Sequence, residues 1–469
     1  MPDRSLHGRA IRAVGGGMLA GWMLTLVVFA PGFAMYDTLV QYRQVLSGTF
    51  DDWHPPAMAR LWQVMAPLGG GQAPLFVAQV GCYWLGFALL ALALARAGRL
   101  RASLLLGVIA ILPPFLGWQV VVLKDAQMTG ALLAATGIIA AARLDGRTLR
   151  ALEWTAAAIL LLYAVLVRAN AAFAVVPLVA MLLPLGWRWR LGAVVGGVAA
   201  TLLLSPLVNH QLLGARDSGV TRTQPIFDIA AIAARVPDAL TGLAPPAVAD
   251  IRARGCSKPF FWDPLAESGP CGRDIAELAR MPVARLNGLW LRAILAHPVA
   301  YAGHRMTHLN STERWLVPYR WPGAAPTVAS ERNDLGLESP GATARGWQRL
   351  GGYLVETPLG WPFAWTALAL AGLLALTGAQ TRAAQVARAL FVSALAGEAS
   401  FAVVSIASDL RYHLWMMIAA AIGVVVGWPA FNRRRLGLGA ALVLTACVPA
   451  IAARLVLPPP PQTYLEMLG

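Results

Sequence analysis

The chain has 469 residues, 58% hydrophobic and only 13% charged, with a mean hydropathy of +0.59. Soluble domains carry about a quarter charged residues and just under half apolar ones, so the composition points to a lipid solvent rather than a soluble enzyme. The net charge of +15 is arginine charge, since only Lys124 and Lys258 are lysine, and no basic run exceeds Arg433–Arg435, which argues against nucleic acid as a partner.

Apolar runs long enough to cross ~30 Å of hydrocarbon as helix recur along the chain. Eleven are predicted, near 13–31, 74–95, 102–122, 126–142, 152–167, 171–186, 191–208, 359–377, 388–407, 412–430 and 437–456. The expected fold is therefore an all-α polytopic membrane protein of about eleven transmembrane helices. The first run is too long in its apolar stretch for a cleavable signal. Positive residues resist translocation, and placing the N-terminus in the cytoplasm puts 16 arginines on cytoplasmic connections against 6 basic residues on the short opposite ones and the C-terminal tail. A multi-pass protein with its N-terminus cytoplasmic follows, the inner membrane being its place in a bacterium. Three segments are expected: a transmembrane core over 1–207, with a first extracytoplasmic loop at 32–73; an extracytoplasmic loop domain over 208–355; and C-terminal transmembrane helices over 356–469.

Polar residues gather at the outer ends of these runs. After the first, Pro31-Gly32 breaks the helix and YDTLVQY follows; if helix resumes, Asp37, Gln41 and Gln44 share one face at i, i+4, i+7. An acid on a glutamine-lined face at the membrane boundary suits a proton acceptor; the competing reading is a solvated carboxylate on a surface helix. In DDWHPP, Pro55-Pro56 predicts a second short helix with His54 held at its mouth or serving as a turn residue, and Asp51 and Asp52 read as helix N-terminal charge before a DxD metal motif. Lys124-Asp125 either pair with each other at the interface or face a cavity, where they could hold an anionic lipid head or a metal. Arg168, in Arg168-Ala169-Asn170, either snorkels or aims at a phosphate.

Cys256 and Cys271, 15 residues apart in the long outer segment, form either a disulfide worth ~3 kcal/mol by loop closure or two free thiols. His297, His304 and His308 share a helical face. With Arg305 between the last two and no acidic third ligand alongside, an amphipathic helix on the outer leaflet, starting at Pro298, is preferred to a zinc site. SDLRYH places Asp409, Arg411, Tyr412 and His413 at another outer junction, and Glu398 is expected on one helical stripe with Ser405 and Asp409.

An acid just outside helix one, a two-helix outer loop and polar residues clustered on the outer face resemble the GT-C superfamily of polytopic glycosyltransferases, particularly bacterial members like the aminoarabinose and protein O-mannosyl transferases. YDTLVQY, WHPP, KD, RAN and DLRYH are similar to motifs of uncharacterised bacterial members, over Met18 to about Pro206 and Gly360 to about Trp428. The resemblance implies transfer of a sugar from a polyprenyl-phosphate donor to a glycan, lipid or protein acceptor at the outer leaflet. Asp37 would be the base. Gln41, His54, Lys124, Asp125, Arg168, Asn170, Asp409, Arg411 and Tyr412 would bind substrate. No second acid stands beside Asp37, so the requirement for a divalent metal stays open. The alternatives are a flippase or secondary transporter, whose ionisable groups would spread through the midplane, and a membrane protein whose outer domain only binds a glycan or partner.

Overall fold

The computed structural model describes residues 4–183 and 185–468. The chain forms two compact units, one of Met1–Arg216, Ala324–Glu398 and Arg411–Ala446, the other of Asp217–Gly323, Ala399–Leu410 and Cys447–Gly469. The helices in chain order begin with α1 (Arg4–Phe29), α2 (Tyr36–Ser47), α3 (Pro56–Met65), α4 (Ala73–Arg96) and α5 (Leu100–Ala110). Then come α6 (Pro113–Gln119), α7 (Lys124–Asp145), α8 (Ala151–Val167), α9 (Ala172–Leu182) and α10 (Trp187–Leu207). The second unit supplies α11 (Thr223–Arg235), α12 (Pro245–Ala253), α13 (Ala276–Arg280), α14 (Val283–Ala296) and α15 (Pro298–Glu313). There follow α16 (Ala342–Leu354), α17 (Pro362–Ala375), α18 (Arg382–Ser400), α19 (Leu414–Gly427), α20 (Arg433–Val456) and α21 (Tyr464–Leu468).

The chain is a multi-pass helical membrane protein. Among the described residues six helices are long and apolar enough to cross a bilayer, and a seventh span results if α5 and α6, bent by 56° at their break, count as one. All eleven apolar runs fall on helices, but α8, α9 and α17 are shorter than a full span and α18 carries Arg382, Arg388 and Glu398. The run near 171–186 includes Pro184, which lies outside the described residues.

In the first unit α7 is apolar on all sides and almost wholly buried, as a central helix must be, whereas α10 shows its side chains outward. Small residues let α4 approach α7 backbone to backbone: a Cβ at Gly86 would stand 2.4 Å from the Leu133 carbonyl oxygen. Gln79 on α4 donates to the carbonyls of Gln119 and Val121 at 2.7 and 2.9 Å, and Gln127 on α7 donates back to the Gln79 side chain at 2.9 Å. These bonds fix the segment that leads into Lys124.

The outer loop is tied to the same segment. Gly32 takes φ +95°, and a Cβ there would stand 2.9 Å from both Phe76 and Val122. Phe33 then exchanges backbone hydrogen bonds with Val120 and Val122, and the Thr38 hydroxyl donates to the Val122 carbonyl at 2.7 Å while accepting from the Met35 amide. The start of α2 is thereby held beside the N-terminus of α7. On the other flank, β1 (Phe50–Asp51) pairs in parallel with β2 (Ala215–Arg216), just beyond α10.

Two local expectations are corrected. Helix α18 ends at Ser400, so Glu398, Ser405 and Asp409 do not share a helical stripe. Val403, Val404 and Ile406 disfavour helix, the Ser405 hydroxyl bonds the Ala407 carbonyl, and the backbone of Ile406 and Ala407 pairs with Phe261 and Trp262. Helix α15 does start at Pro298, but His304 and His308 are buried in protein rather than facing lipid. Asp228 on α11 provides the acid that the local sequence lacks, 3.2 Å from His304 Nε2, and Arg305 claims the same oxygen at 2.6 Å. Asp228 Oδ2 accepts from Trp290 and Gln224. Close by in this unit's apolar core, Cys256 and Cys271 are joined in a disulfide with their Cα atoms 6.4 Å apart.

Candidate active site

Five separate elements of the first unit bring charge to one place. Asp37 comes from the first turn of α2, His54 from the turn ahead of α3, and Lys124 and Asp125 from the first turn of α7. Arg168 comes from the residue after α8, and Arg411 from the turn before α19. Each lies where a helix starts or stops.

The contacts form a chain. Arg411 Nη2 is 3.1 Å from Asp37 Oδ2, and its Nε is 3.7 Å from Asp125 Oδ2, so one guanidinium bridges the two carboxylates. Asp125 also pairs with Arg168, whose Nε donates to Asn170 Oδ1 at 2.8 Å. The Arg168 guanidinium lies over the Tyr412 ring, 4.1 Å from its centroid, a cation–π contact that keeps it turned inward rather than snorkelling. Lys124 does not pair with Asp125 in the way adjacent residues could; its Nζ stands 2.8 Å from His54 Nδ1.

That last contact settles the tautomer of His54. An ammonium only donates, so Nδ1 accepts and the ring proton is on Nε2, which faces Asp37 Oδ1 across 3.9 Å. Burial, and then Lys124, push the His54 pKa down to about 3, so the ring is neutral. Burial alone would raise the Asp37 carboxyl, but Arg411, Lys124, His54 and Arg168 together outweigh it and hold it well below the usual carboxylate range.

Three cations thus surround two carboxylates, and two amides remain unmatched. Gln41 and Gln44, one and two turns along α2 from Asp37, are buried, and among the described residues neither amide oxygen nor nitrogen has a hydrogen-bond partner. Buried amides are normally satisfied, so these mark where a polar ligand or water belongs. A divalent cation does not fit beside Asp37. Hard cations take several oxygen ligands, whereas here a guanidinium already occupies the position between the carboxylates, with two further cations at hand.

Asp409, grouped with Arg411 in the sequence, belongs to the second unit and packs against Gly323, where a Cβ would lie 2.7 Å from its Oδ1. Asp52 precedes α3, whose N-cap is Pro55, and its Oδ2 is 3.3 Å from His210 Nε2, beside the β1–β2 pair. Glu398 and His413 pair with each other, Nδ1 to Oε2 at 2.6 Å, inside the first unit. Sequence reasoning missed the brace on α2: the Glu331 carboxylate accepts from the Tyr36 amide at 2.9 Å, and Ser330 Oγ from the Ala34 amide at 3.0 Å. An acid at a helix N-terminus is favourable, but nothing in the local sequence connects positions almost 300 residues apart.

No family model and no curated protein matches the chain. Among solved structures, the archaeal oligosaccharyltransferase AglB from Archaeoglobus fulgidus, in complex with an inhibitory peptide and a dolichol-phosphate, is similar to this chain at 14% identity and a TM-score of 0.40. The match covers 96% of this chain and 55% of that one, so the chain spans about half the length of the protein it matches. At that score the likeness decides no residue's role.

Proposed function

We propose that the chain is a GT-C-type membrane glycosyltransferase that moves a sugar, hexosyl or pentosyl, from a polyprenyl-phosphate donor to a glycan, lipid or protein acceptor at the extracytoplasmic face. The observation that carries the reading is the convergence of Arg411, Lys124 and Arg168 on Asp37, with the unmatched amides of Gln41 and Gln44 on the same helix. In this reading the donor's phosphate binds the three cations and the sugar hydroxyls meet the amides. The acceptor oxygen attacks the anomeric carbon as the bond to the phosphate oxygen breaks. Its proton passes to Asp37, and the phosphate leaves with the bonding pair, neutralised by charge-assisted hydrogen bonds.

Asp37 is a weak base while the cations face it. Donor phosphate would draw them away and raise the carboxylate's basicity when the reaction needs it. The ionisable groups gather at helix ends rather than through the midplane, which speaks against a carrier. No metal enters this scheme.

The test is transfer from a radiolabelled polyprenyl-phosphate sugar in membranes, beside donor binding to purified protein. Asp37→Asn, nearly isosteric, should lower turnover by about 10²- to 10⁴-fold while sparing donor binding. Full activity in this variant would remove the proposed base. The expected orientation, with the N-terminus cytoplasmic, rests on the arginine bias, and the count of about eleven crossings on the apolar runs. Reporter fusions at Gly98 and Gly242 should read opposite sides of the membrane, and equal signals would overturn it.

A further inference from the structure

The first unit holds a second basic site at the other end of its helices. A cavity of about 320 Å³ is lined by Arg143, Arg190, Arg388, Gln380 and Gln385, with Met181, Leu182, Leu183 and Val386 as its apolar wall. Arg143 lies 19 residues beyond Lys124 on α7, about 28 Å along the helix axis, so this site is separate from Asp37.

The three arginines are half-buried, and no carboxylate is among the cavity's described lining residues. Asp145 and Glu153, the acids nearest in sequence to Arg143, are engaged elsewhere, by Arg96 and Arg147 at 2.7 Å each. Each cavity arginine is held instead by carbonyls at helix ends. Arg143 donates to Leu182, Arg190 to Leu183 at 3.3 Å, and Arg388 to Leu376 and Ala379 at 3.2 and 2.9 Å.

These bonds could be read as ordinary helix C-capping. Capping does not explain why three such forks meet around one cavity. Each guanidinium has five N–H donors, of which the carbonyls take one or two, and Arg190 Nε is buried with no hydrogen-bond partner among the described residues. Three like charges held close in a partly dry space repel one another unless an anion joins them. The size of the cavity, its glutamine amides and its apolar wall suit a phosphodiester with a short organic stem better than a bare ion.

We infer that this cavity binds the phosphate head group of an anionic membrane lipid, clamped by Arg143, Arg190 and Arg388. Basic pockets between the ends of membrane helices are a recurrent setting for such head groups. The inference does not depend on the reaction proposed for Asp37.

The test uses the full chain in nanodiscs of phosphatidylcholine with or without phosphatidylglycerol, with retained lipid read by native mass spectrometry. Wild-type protein should keep phosphatidylglycerol over phosphatidylcholine, and Arg190→Gln or Arg388→Gln should weaken that retention about 10- to 100-fold, the worth of one charge-assisted bond. Arg147→Gln, which removes a surface arginine paired with Glu153, should leave it unchanged. A second readout needs no variant: phosphatidylglycerol should protect Arg190 of wild-type protein from phenylglyoxal, and phosphatidylcholine should not. Equal retention of both lipids, unaltered retention in both cavity variants, or equal modification of Arg190 in both bilayers would overturn the proposal. Glycerol phosphate or inorganic phosphate should compete only weakly; full displacement of the lipid by either would reassign the cavity to a soluble anion and refute the lipid reading.

Discussion

The two units each contain a buried carboxylate beside arginine and histidine, and they differ in what is left over. Around Asp228 charge is matched: Arg305 and His304 stand 2.6 and 3.2 Å from one oxygen, in ion-pair contact without hydrogen-bond geometry, Trp290 and Gln224 donate to the other, and the carboxylate has no exposed surface. Around Asp37 it is not. Cations outnumber carboxylates three to two, two contacts are long at 3.7 and 3.9 Å, the Asp37 side chain keeps 15% of its exposure, and among the described residues two amides go unmatched. A charge-matched network fixes a fold, whereas one with surplus positive charge has work for an anion to do.

Substitutions at the two carboxylates should therefore separate rate from stability. The largest effect is the loss of turnover in Asp37→Asn, read per folded molecule because the variant also gives up the stabilisation that the facing cations lend the carboxylate. Next comes Asp228→Asn, which leaves Arg305 buried against a neutral amide and should cost about 3–5 kcal/mol of stability, with transfer per folded molecule unchanged. Denaturation of purified protein beside the transfer assay measures both. If Asp228→Asn abolished turnover in a fully stable protein, the contrast between the units would collapse.

A smaller effect tests what the units share. Burial, opposed by the Pro259 carbonyl, holds His308 at about 3, and His54 is also held at about 3. In the unfolded chain each histidine binds a proton below about pH 6.5. The folded protein refuses it, so stability present above that pH should be lost progressively as pH falls toward 3. The slope is about 1.4 kcal/mol per pH unit for each histidine. His308→Gln should make the dependence shallower by that one histidine's share, and an unchanged slope would show that the His308 ring is not held neutral.

Much of the site around Asp37 was legible in the sequence. Asp37, His54, Lys124-Asp125, Arg168 and Arg411 stand out because each interrupts or ends an apolar run, where a charge is costly and easily noticed. Their pairing was not legible. Lys124 sits next to Asp125 in the chain but reaches His54, and Arg411 rather than any neighbour in sequence bridges Asp37 and Asp125. Helical periodicity correctly put Asp37, Gln41 and Gln44 on one face of α2. The same arithmetic failed for Glu398 and Asp409, because backbone pairing with Phe261 and Trp262 ends the helix between them. The charge-matched site around Asp228 stayed invisible, since its parts lie some 60 to 80 residues apart and none breaks a local pattern.

The central claim is that the cations facing Asp37 are there to hold a lipid-borne phosphate. Binding of polyprenyl monophosphate to purified protein tests it directly, by comparing wild type, Asp37→Asn and Arg411→Ala. Removing Arg411 should weaken binding about 10- to 100-fold, the worth of one charge-assisted hydrogen bond, while removing the competing negative charge of Asp37 should leave it equal or tighter. Unchanged affinity in Arg411→Ala, or weaker binding in a folded Asp37→Asn, would contradict the assignment of base and phosphate clamp.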